Sequence, residues 1–178
     1  GHTIPLKVRS LVGLIPLMAV EILDHDLVQR LPGFKKRMDW FLDHRRDLQE
    51  QSSYYSRASG ENRHGRRLLA IPSLDRLERV LRYVFDENEF LSPFGIRSVS
   101  HVHKEKPCVF QFDGRDYRVD YEPGESSTSL FGGNSNWRAP IWFPLNYLII
   151  EALERYHHFY GDSLLLEFPT GSGRKLNL

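Results

Sequence analysis

The sequence predicts a mainly α-helical fold that is interrupted by a β-hairpin. Helical spacing of apolar residues occurs in three stretches before Asp86 and again over residues 141–160. Between these stretches, two short arms rich in aromatic and β-branched residues flank Asp113-Gly114, a dipeptide typical of tight hairpin turns. No repeated strand–helix–strand unit is visible, so a parallel sheet is not predicted.

Residues 9–23 predict the first helix. Its apolar residues surround most of the helix circumference, which predicts burial against several neighbours. The apolar run is interrupted by Gly13, Pro16 and Glu21, and it is shorter than the roughly 18 residues that a membrane-spanning helix needs. We therefore expect a buried helix, no signal peptide and no contact with a membrane.

Residues 33–46 predict a second helix that is apolar on one side and charged on the other, as a half-exposed helix requires. Residues 47–72 are polar and lack periodicity, so they predict a long loop. Ser73 is a residue type that caps helices, and the apolar spacing after it predicts a third helix that ends near Phe85.

The predicted hairpin pairs residues 108–112 with residues 115–121. It belongs to an insertion, residues 96–136, that consists of the hairpin and a loop and leads to an aromatic motif. A last helix is predicted to follow that motif, because Pro140 suits its first turn and Gly161 suits its end.

The composition is that of a soluble globular protein. The 178 residues are 40% hydrophobic and 12% aromatic with a formal net charge of +1, so no large uniform field attracts nucleic acid or anionic lipid. The single Cys108 cannot form an internal disulfide and fits a reducing, cytoplasmic compartment. The pairs His101/His103 and His157/His158 lack the spacing and the Glu or Cys neighbours of zinc sites, so no metal and no other cofactor is predicted.

Residues 132–147 are the most informative for function. They combine Trp137 and Trp142 with Arg138, three amide side chains and a Gly132-Gly133 entry just before the last predicted helix. Indoles stack on the apolar faces of pyranose rings, while fixed amide and guanidinium groups hydrogen-bond hydroxyls. The alternative is that both tryptophans are ordinary core residues. The density of polar groups beside them favours a sugar-binding site.

The same residues carry a resemblance to a known family. Residues 136–148 include Trp-Arg-Ala-Pro-Ile-Trp and resemble the Trp-Arg-Gly-Pro-Ile-Trp signature of glycoside hydrolase family 63. This family includes processing α-glucosidase I, bacterial α-glucosidases and mannosylglycerate hydrolase. Residues 91–100 are similar to the segment that precedes this signature, and residues 5–17 and 121–126 resemble a bacterial glucosidase-like branch.

The resemblance implies that residues 1–178 are a single segment of a larger (α/α)6 toroid, the six-hairpin glycosidase fold, with the β-hairpin as an insertion. The first predicted helix would lie in the inner ring and the second in the outer ring. A toroid segment without the rest of its ring would expose apolar inner-helix surface, so we expect the fragment to self-associate.

The resemblance also implies which residues bind the substrate. Trp137, Ala139 and Trp142 would line the subsite of the sugar that is cleaved, with Asn136 where tyrosine is common and Arg138 beside it. Ala139 replaces the usual glycine, and its methyl group would lie where a backbone approaches the ligand closely. Tightness or specificity at this subsite would change as a result.

Inverting enzymes of this type use an acid Asp and a base Glu, and the resemblance places both outside this chain. Glu122 and Glu125 are the internal candidates for the two carboxyls, which inversion needs roughly 6.5–9.5 Å apart. Loop carboxylates are usually solvated or capping groups, so the chain offers no convincing catalytic pair. A supporting role, in which they orient Arg138 or Arg97, is the better prediction.

The sequence thus predicts a fragment of an inverting glycoside hydrolase that acts on α-glucosidic or related α-mannosidic linkages. Its partner would be a disaccharide or oligosaccharide, and the fragment alone is expected to be inactive. The alternative is a non-catalytic carbohydrate-binding or helical interaction module that has kept the aromatic motif. No aromatic residues are interleaved with the basic residues of 57–67, so nucleic acid is not a predicted partner.

Overall fold

The fold is mixed rather than mainly helical. The computed structural model describes residues 7–45, 53–56, 66–124, 126–128 and 140–178, with residues 53–56 described by their backbone alone. In this part of the chain, helices alternate with short strands that form four small antiparallel sheets. The predicted segment of an (α/α)6 toroid is therefore wrong. The expected self-association of the chain stays a prediction.

The described α-helices are α1 Ile15–Met18, α2 His25–Gln29, α3 Pro32–His44, α4 Leu74–Val84 and α5 Phe143–Tyr160. The strands are β1 Val20–Leu23, β2 Ser53–Ser56, β3 Arg67–Ala70, β4 Leu91–Ser92, β5 Gly95–Ile96, β6 Cys108–Phe112, β7 Arg115–Val119, β8 Leu166–Glu167 and β9 Lys175–Leu176. Short 3-10 helices cover Leu11–Leu14, His101–Lys104 and Gly161–Ser163. Helices α3, α4 and α5 confirm three of the predicted helices. No helix in the described ranges is long and apolar enough to cross a membrane.

The first predicted helix, residues 9–23, is wrong because the segment divides into a 3-10 helix, the single turn α1 and the strand β1. Only one side of it is buried, since Val12 is 42% exposed and Ile15 is 45% exposed. The buried positions recur at every third residue, at Leu11, Leu14, Leu17 and Val20. A short apolar run of this kind fits a helix or a strand, and pairing of β1 with β3 decides in favour of the strand.

Residues 47–72, predicted as a loop, contribute β2 and β3 to a three-stranded antiparallel sheet in the order β1-β3-β2. Strand β3 alternates in burial: Leu68 and Ala70 are buried, and Leu69 is exposed. Four residues are too few for this alternation to stand out among the charged residues around them. The strand is stabilised by pairing with both neighbours rather than by a local preference.

Two compact units make up the chain. Unit 1 consists of Gly1–Ile15, Val80–Leu148 and Leu166–Leu176. Unit 2 consists of Pro16–Arg79, Ile149–Leu165 and Asn177–Leu178. The hairpin and the described end of the aromatic motif thus belong to unit 1, whereas the three-stranded sheet belongs to unit 2.

A buried tyrosine joins α5 to α1 within unit 2. Tyr156 is 1% exposed, and its hydroxyl donates a hydrogen bond to the Leu17 carbonyl at 3.2 Å. Burial, together with the neighbouring Tyr160, raises the pKa of the Tyr156 hydroxyl. The phenol therefore remains a neutral donor that satisfies a buried carbonyl group.

The β6–β7 hairpin in unit 1 confirms the prediction made from Asp113-Gly114. Five residue pairs align from Cys108 opposite Val119 to Phe112 opposite Arg115. Asp113 has φ of 52° and Gly114 has φ of 69°, as a two-residue turn with both central residues in the left-handed region requires. The register buries Val119.

The carboxylate of Glu167 organises the turn between β8 and β9 in unit 1. It accepts hydrogen bonds from the backbone N–H of Gly171 at 2.8 Å and of Gly173 at 2.6 Å. These two bonds, with smaller contributions from the charges of Lys175 and Arg82, hold the pKa of Glu167 below its ordinary value. The turn is thus stabilised by the ionised form of this residue.

We expect Tyr156→Phe to lower the free energy of unfolding by about 1–2 kcal/mol, because the Leu17 carbonyl would lose its buried donor. Urea unfolding followed by circular dichroism measures the change. Tyr83→Phe is the matched control. Tyr83 is 48% exposed, so the loss of its hydroxyl should leave no buried group without a hydrogen-bond partner. An equal loss in both variants would contradict the role of the Tyr156 hydrogen bond.

We expect Glu167→Gln to destabilise the chain at pH 7 but not at pH 3. The folded chain lowers the pKa of Glu167, so its carboxylate stabilises the fold above the unfolded value, about 4.3. That stabilisation is lost as the pH falls through the lower folded value. The urea midpoints of Glu167→Gln and the wild type should therefore become equal in acid. Glu154 is exposed, so Glu154→Gln is the control and should have the midpoint of the wild type at both pH 7 and pH 3. A difference that persists unchanged at pH 3 would disprove this account.

Candidate functional site

The described residues include only part of the predicted sugar-binding motif. Asn136, Trp137, Arg138 and Ala139 lie outside them, so their predicted roles stay predictions. Trp142 is half-buried and lies directly before the first residue of α5. The start of α5 and the residues that pack against it therefore position this indole.

Asn146 joins α5 to strand β5. Its side-chain Oδ1 accepts a hydrogen bond from the Ile96 N–H at 2.7 Å, and its Nδ2 donates to the Ile96 carbonyl at 2.9 Å. The amide thus pairs with one backbone residue as a neighbouring strand would. The same Nδ2 also donates to the Trp142 carbonyl at 3.1 Å, which also accepts the backbone N–H of Asn146 at 3.0 Å. One side chain therefore fixes β5 and the backbone of Trp142 together.

Backbone contacts extend this alignment by two residues. Arg97 and Ile141 form an isolated antiparallel bridge, and the Ser98 N–H donates to the Pro140 carbonyl at 3.3 Å. Residues 96–98 therefore run beside residues 140–142. Two of the sequence segments that carry the family resemblance, residues 91–100 and the end of the aromatic motif, thus lie side by side in unit 1.

Gly95 is the point of closest approach between these segments. Its φ of 130° lies in a backbone region that residues other than glycine rarely adopt. A Cβ atom there would lie 2.9 Å from Oδ1 of Asn146 and 3.5 Å from Cγ2 of Ile141. Only glycine therefore allows Asn146 to reach the backbone of Ile96.

Arg97 holds the chain around β4 and β5 in place. Its Nη1 donates to the carbonyls of Glu87 at 2.8 Å and Glu89 at 3.4 Å, and also to the carbonyl of Leu91. Its Nε donates to the Tyr121 hydroxyl at 3.3 Å, and the guanidinium carbon lies 5.7 Å from the centre of that ring. Each of these partners is a neutral group, and the supporting role predicted for Glu122 and Glu125, in which they orient Arg138 or Arg97, stays a prediction.

Of the two internal acid/base candidates, Glu122 is described and Glu125 is not. The carboxylate of Glu122 accepts a hydrogen bond from the Ser127 N–H at 3.0 Å. This contact organises the loop that follows Tyr121, which is the capping role expected of a loop carboxylate. The structure gives no distance between the two candidates.

A buried carboxylate that the sequence analysis missed lies in unit 1. Glu89 is 8% exposed; it forms an ion pair with Arg9 and accepts a hydrogen bond from the Ser100 hydroxyl. Its backbone carbonyl accepts the His101 N–H at 2.9 Å. Because both carboxylate oxygens are engaged, Glu89 serves to hold these segments rather than to transfer protons to a ligand. Positions 9, 89 and 100 are too far apart in the sequence for spacing to reveal the cluster.

His103 completes this polar cluster. It is 5% exposed, its Nε2 lies 2.9 Å from the Arg9 N–H, and its Nδ1 lies 3.0 Å from the Lys106 carbonyl. The backbone N–H must donate, so Nε2 accepts and Nδ1 carries the hydrogen. Among the described residues, no group of three or more His, Cys, Asp or Glu side chains is arranged to hold a metal ion.

A cleft of about 240 Å³ lies elsewhere in unit 1, beside the 3-10 helix at Leu11–Leu14. Its walls are largely apolar and include Leu14, Val80 and Phe90. Its charged group, Arg9, is already paired with Glu89 and stacks on Tyr83, with 5.4 Å from the guanidinium carbon to the ring centre. Such a cleft offers few hydrogen bonds to a polyhydroxylated ligand.

Comparison with known proteins gives two informative similarities. The chain is 46% identical to the uncharacterised protein YMR196W of Saccharomyces cerevisiae over 179 residues, which cover 99% of this chain and 16% of that protein. It is 34% identical over 79 residues to a probable mannosyl-oligosaccharide glucosidase of Schizosaccharomyces pombe, which is 44% of this chain and 7% of that protein. No protein-family model and no solved structure matches the chain.

These relatives have two consequences for the predictions. The chain spans only about a sixth of the length of the S. cerevisiae protein and less of the S. pombe protein. Part of the chain is similar to a glucosidase, which agrees in outline with the predicted resemblance. Both relatives come from yeasts, so the predicted likeness to a bacterial branch has no support here.

We expect Gly95→Ala to lower the free energy of unfolding by about 1–3 kcal/mol, because the new Cβ would displace Asn146 and adopt a strained φ. Thermal or urea unfolding measures this loss. Gly124→Ala is the control, since a Cβ at Gly124 meets nothing within 4 Å. If Gly95→Ala proved as stable as Gly124→Ala, the close approach would not be required.

Proposed function

We propose that the chain is a segment of a glycoside hydrolase of the family 63 type, in which it supplies side chains that contact the sugar. The observation that carries the proposal is the partial similarity to a probable mannosyl-oligosaccharide glucosidase. The Trp-Arg-Ala-Pro-Ile-Trp motif adds a chemical reason, because paired indoles with adjacent polar groups suit a pyranose.

The geometry around Asn146 supports this assignment of roles. A binding side chain must be held within a fraction of an ångström by its surroundings to select a ligand. The backbone of Trp142 meets this requirement, since its carbonyl is fixed by Asn146 and its neighbour Ile141 bridges Arg97. We propose that Trp142, with Trp137, stacks on the sugar.

The polar residues of the motif would then recognise hydroxyl groups. Asn136 and Arg138 are proposed to hydrogen-bond the sugar, and Ala139 to limit how closely the ring approaches the backbone. In the whole protein, an acid Asp and a base Glu from other segments would protonate the leaving oxygen and activate a water at the anomeric carbon. The linkage would be α-glucosidic or a related α-mannosidic one.

A second function, non-catalytic carbohydrate binding, is favoured by the state of the described carboxylates. Glu89 is buried in an ion pair with Arg9, and Glu122 accepts a backbone hydrogen bond, so neither is presented as a free acid or base. The mixed fold, by contrast, gives no support to a helical interaction module. Hydrolysis by the whole protein distinguishes the hydrolase from the binding module.

We expect the 178-residue chain to bind methyl α-glucoside or methyl α-mannoside and Trp142→Ala to weaken that binding about two- to tenfold. This is the range for loss of one aromatic stacking contact of roughly 0.5–1.5 kcal/mol. Heteronuclear NMR titration measures the affinity. Trp40→Ala is the matched control, because Trp40 lies on α3 in unit 2 and stacks on His44 at 4.9 Å. Equal weakening by both substitutions would contradict the proposed site.

We further expect no turnover of p-nitrophenyl α-glucoside or maltose by the chain alone. Release of β-glucose, measured by NMR, would contradict the proposal that the acid and base lie in other segments. Glu122→Gln and Glu125→Gln would then identify the carboxyl responsible.

A further inference from the structure

Three aromatic side chains at the start of α5 and in the β4–β5 turn are exposed to solvent. Phe94 is 85% exposed, Phe143 is 77% exposed and Tyr147 is 57% exposed. A single exposed aromatic residue needs no explanation, but a group of large apolar side chains at one place usually marks a binding surface. All three lie in segments that the sequence singled out, but none of them was predicted to contact a ligand.

The contact between Gly95 and Asn146 places the β4–β5 turn, which carries Phe94, against α5, which carries Phe143 and Tyr147. Phe94 directly precedes Gly95, whose Cα lies against the side chain of Asn146. Tyr147 follows Phe143 by four residues, so these two side chains lie on the same side of α5, and Phe143 also lies one turn from Asn146. The turn before Gly95 is itself held, since the hydroxyl of Ser92 accepts the Phe94 N–H at 3.2 Å and donates to the Gly95 carbonyl at 2.7 Å. The aromatic side chains therefore project from a rigid base.

The two segments that carry these side chains contain no formal charge. Residues 92–96 and 139–150 contain no Asp, Glu, Lys, Arg or His. A nucleic acid or a charged peptide would find no partner for its charges there. A neutral ligand with apolar faces and hydroxyl edges is the better match, because its faces can stack on the rings while its hydroxyls remain in water.

Continuity with the motif determines which neutral ligand we favour. Phe143 follows Trp142 directly, so their Cα atoms are about 3.8 Å apart. Phe143 is therefore within reach of a second sugar when the first ring stacks on Trp142. We propose that Phe94, Phe143 and Tyr147 form an aromatic platform that binds the second and later sugars of a neutral, α-linked oligosaccharide. The inference rests on the proposed function, since it assigns the first sugar to the motif.

The test compares a short ligand with a long one. Methyl α-glucoside reports on the motif alone, whereas maltotriose and its α-1,2- and α-1,3-linked counterparts also reach the platform. We expect Phe94→Ala and Phe143→Ala each to lower the affinity for at least one trisaccharide about two- to tenfold and to leave the affinity for methyl α-glucoside unchanged. Phe112→Ala is the matched control: Phe112 is 65% exposed but lies on the β6–β7 hairpin, so both affinities should be unchanged. Circular dichroism checks that the variants fold.

The outcomes separate this inference from the proposed function. A wild-type chain that binds all these sugars while both platform variants bind the trisaccharides normally would overturn the platform alone. A wild-type chain that binds none of them would overturn the proposed function and the platform with it. Platform variants that bind sugars normally but no longer self-associate in light scattering would show that the surface packs against a second copy. A trisaccharide affinity that depends on Phe94 and Phe143 but not on Trp142 would support the platform and contradict the role of the motif.

Discussion

The pairing of the Asn146 side chain with the backbone of Ile96 is the constraint on which the candidate site depends. The outer edge of a short strand such as β5 has N–H and C=O groups that must be satisfied when they leave water. Asn146 satisfies both with one amide, at 2.7 and 2.9 Å, and so attaches β5 to the first turns of α5. Because the amide must come within reach of the backbone, the residue before Ile96 has to be glycine. The position of Trp142 follows from this contact.

Polar side chains elsewhere in unit 1 serve the same purpose. Arg97 crosslinks three backbone carbonyls and Tyr121, and Glu89 joins Arg9 to Ser100. Such clusters stabilise a loop-rich fold only when every member has a partner, since an unpaired buried charge costs several kcal/mol. The chain around β4 and β5 has little regular secondary structure to satisfy its backbone. Hydrogen bonds from side chains therefore satisfy backbone groups that long strands or helices satisfy in other folds.

The sequence predicted the elements whose signals are local. Asp113-Gly114 sets the hairpin turn by its backbone preferences, and the spacing in α4 and α5 is long enough to define a helical face. The prediction of a helix over residues 9–23 was wrong because strand β1 depends on its pairing with β3, which lies about 45 residues further along the chain. Likewise, the motif drew attention to Trp142, but the contacts of Asn146 with Ile96 span a separation of 50 residues, and no spacing rule detects them. The prediction of a toroid was based on the family resemblance alone, and the described residues do not form one.

Function and fold have to be argued separately for this chain, because sites rather than architectures carry chemistry. The failure of the predicted toroid removes an argument from fold but leaves the chemistry of the motif intact. What remains is the motif with Trp142 and, next to it, the proposed aromatic platform of Phe94, Phe143 and Tyr147, on a base fixed by Asn146. Exposed rings on a rigid, uncharged base lose little conformational entropy when a flat, neutral ligand stacks on them, so even weak contacts with successive sugars add to the affinity. A surface of this kind favours length and shape in a ligand over charge. An extended oligosaccharide meets those demands better than a single sugar does.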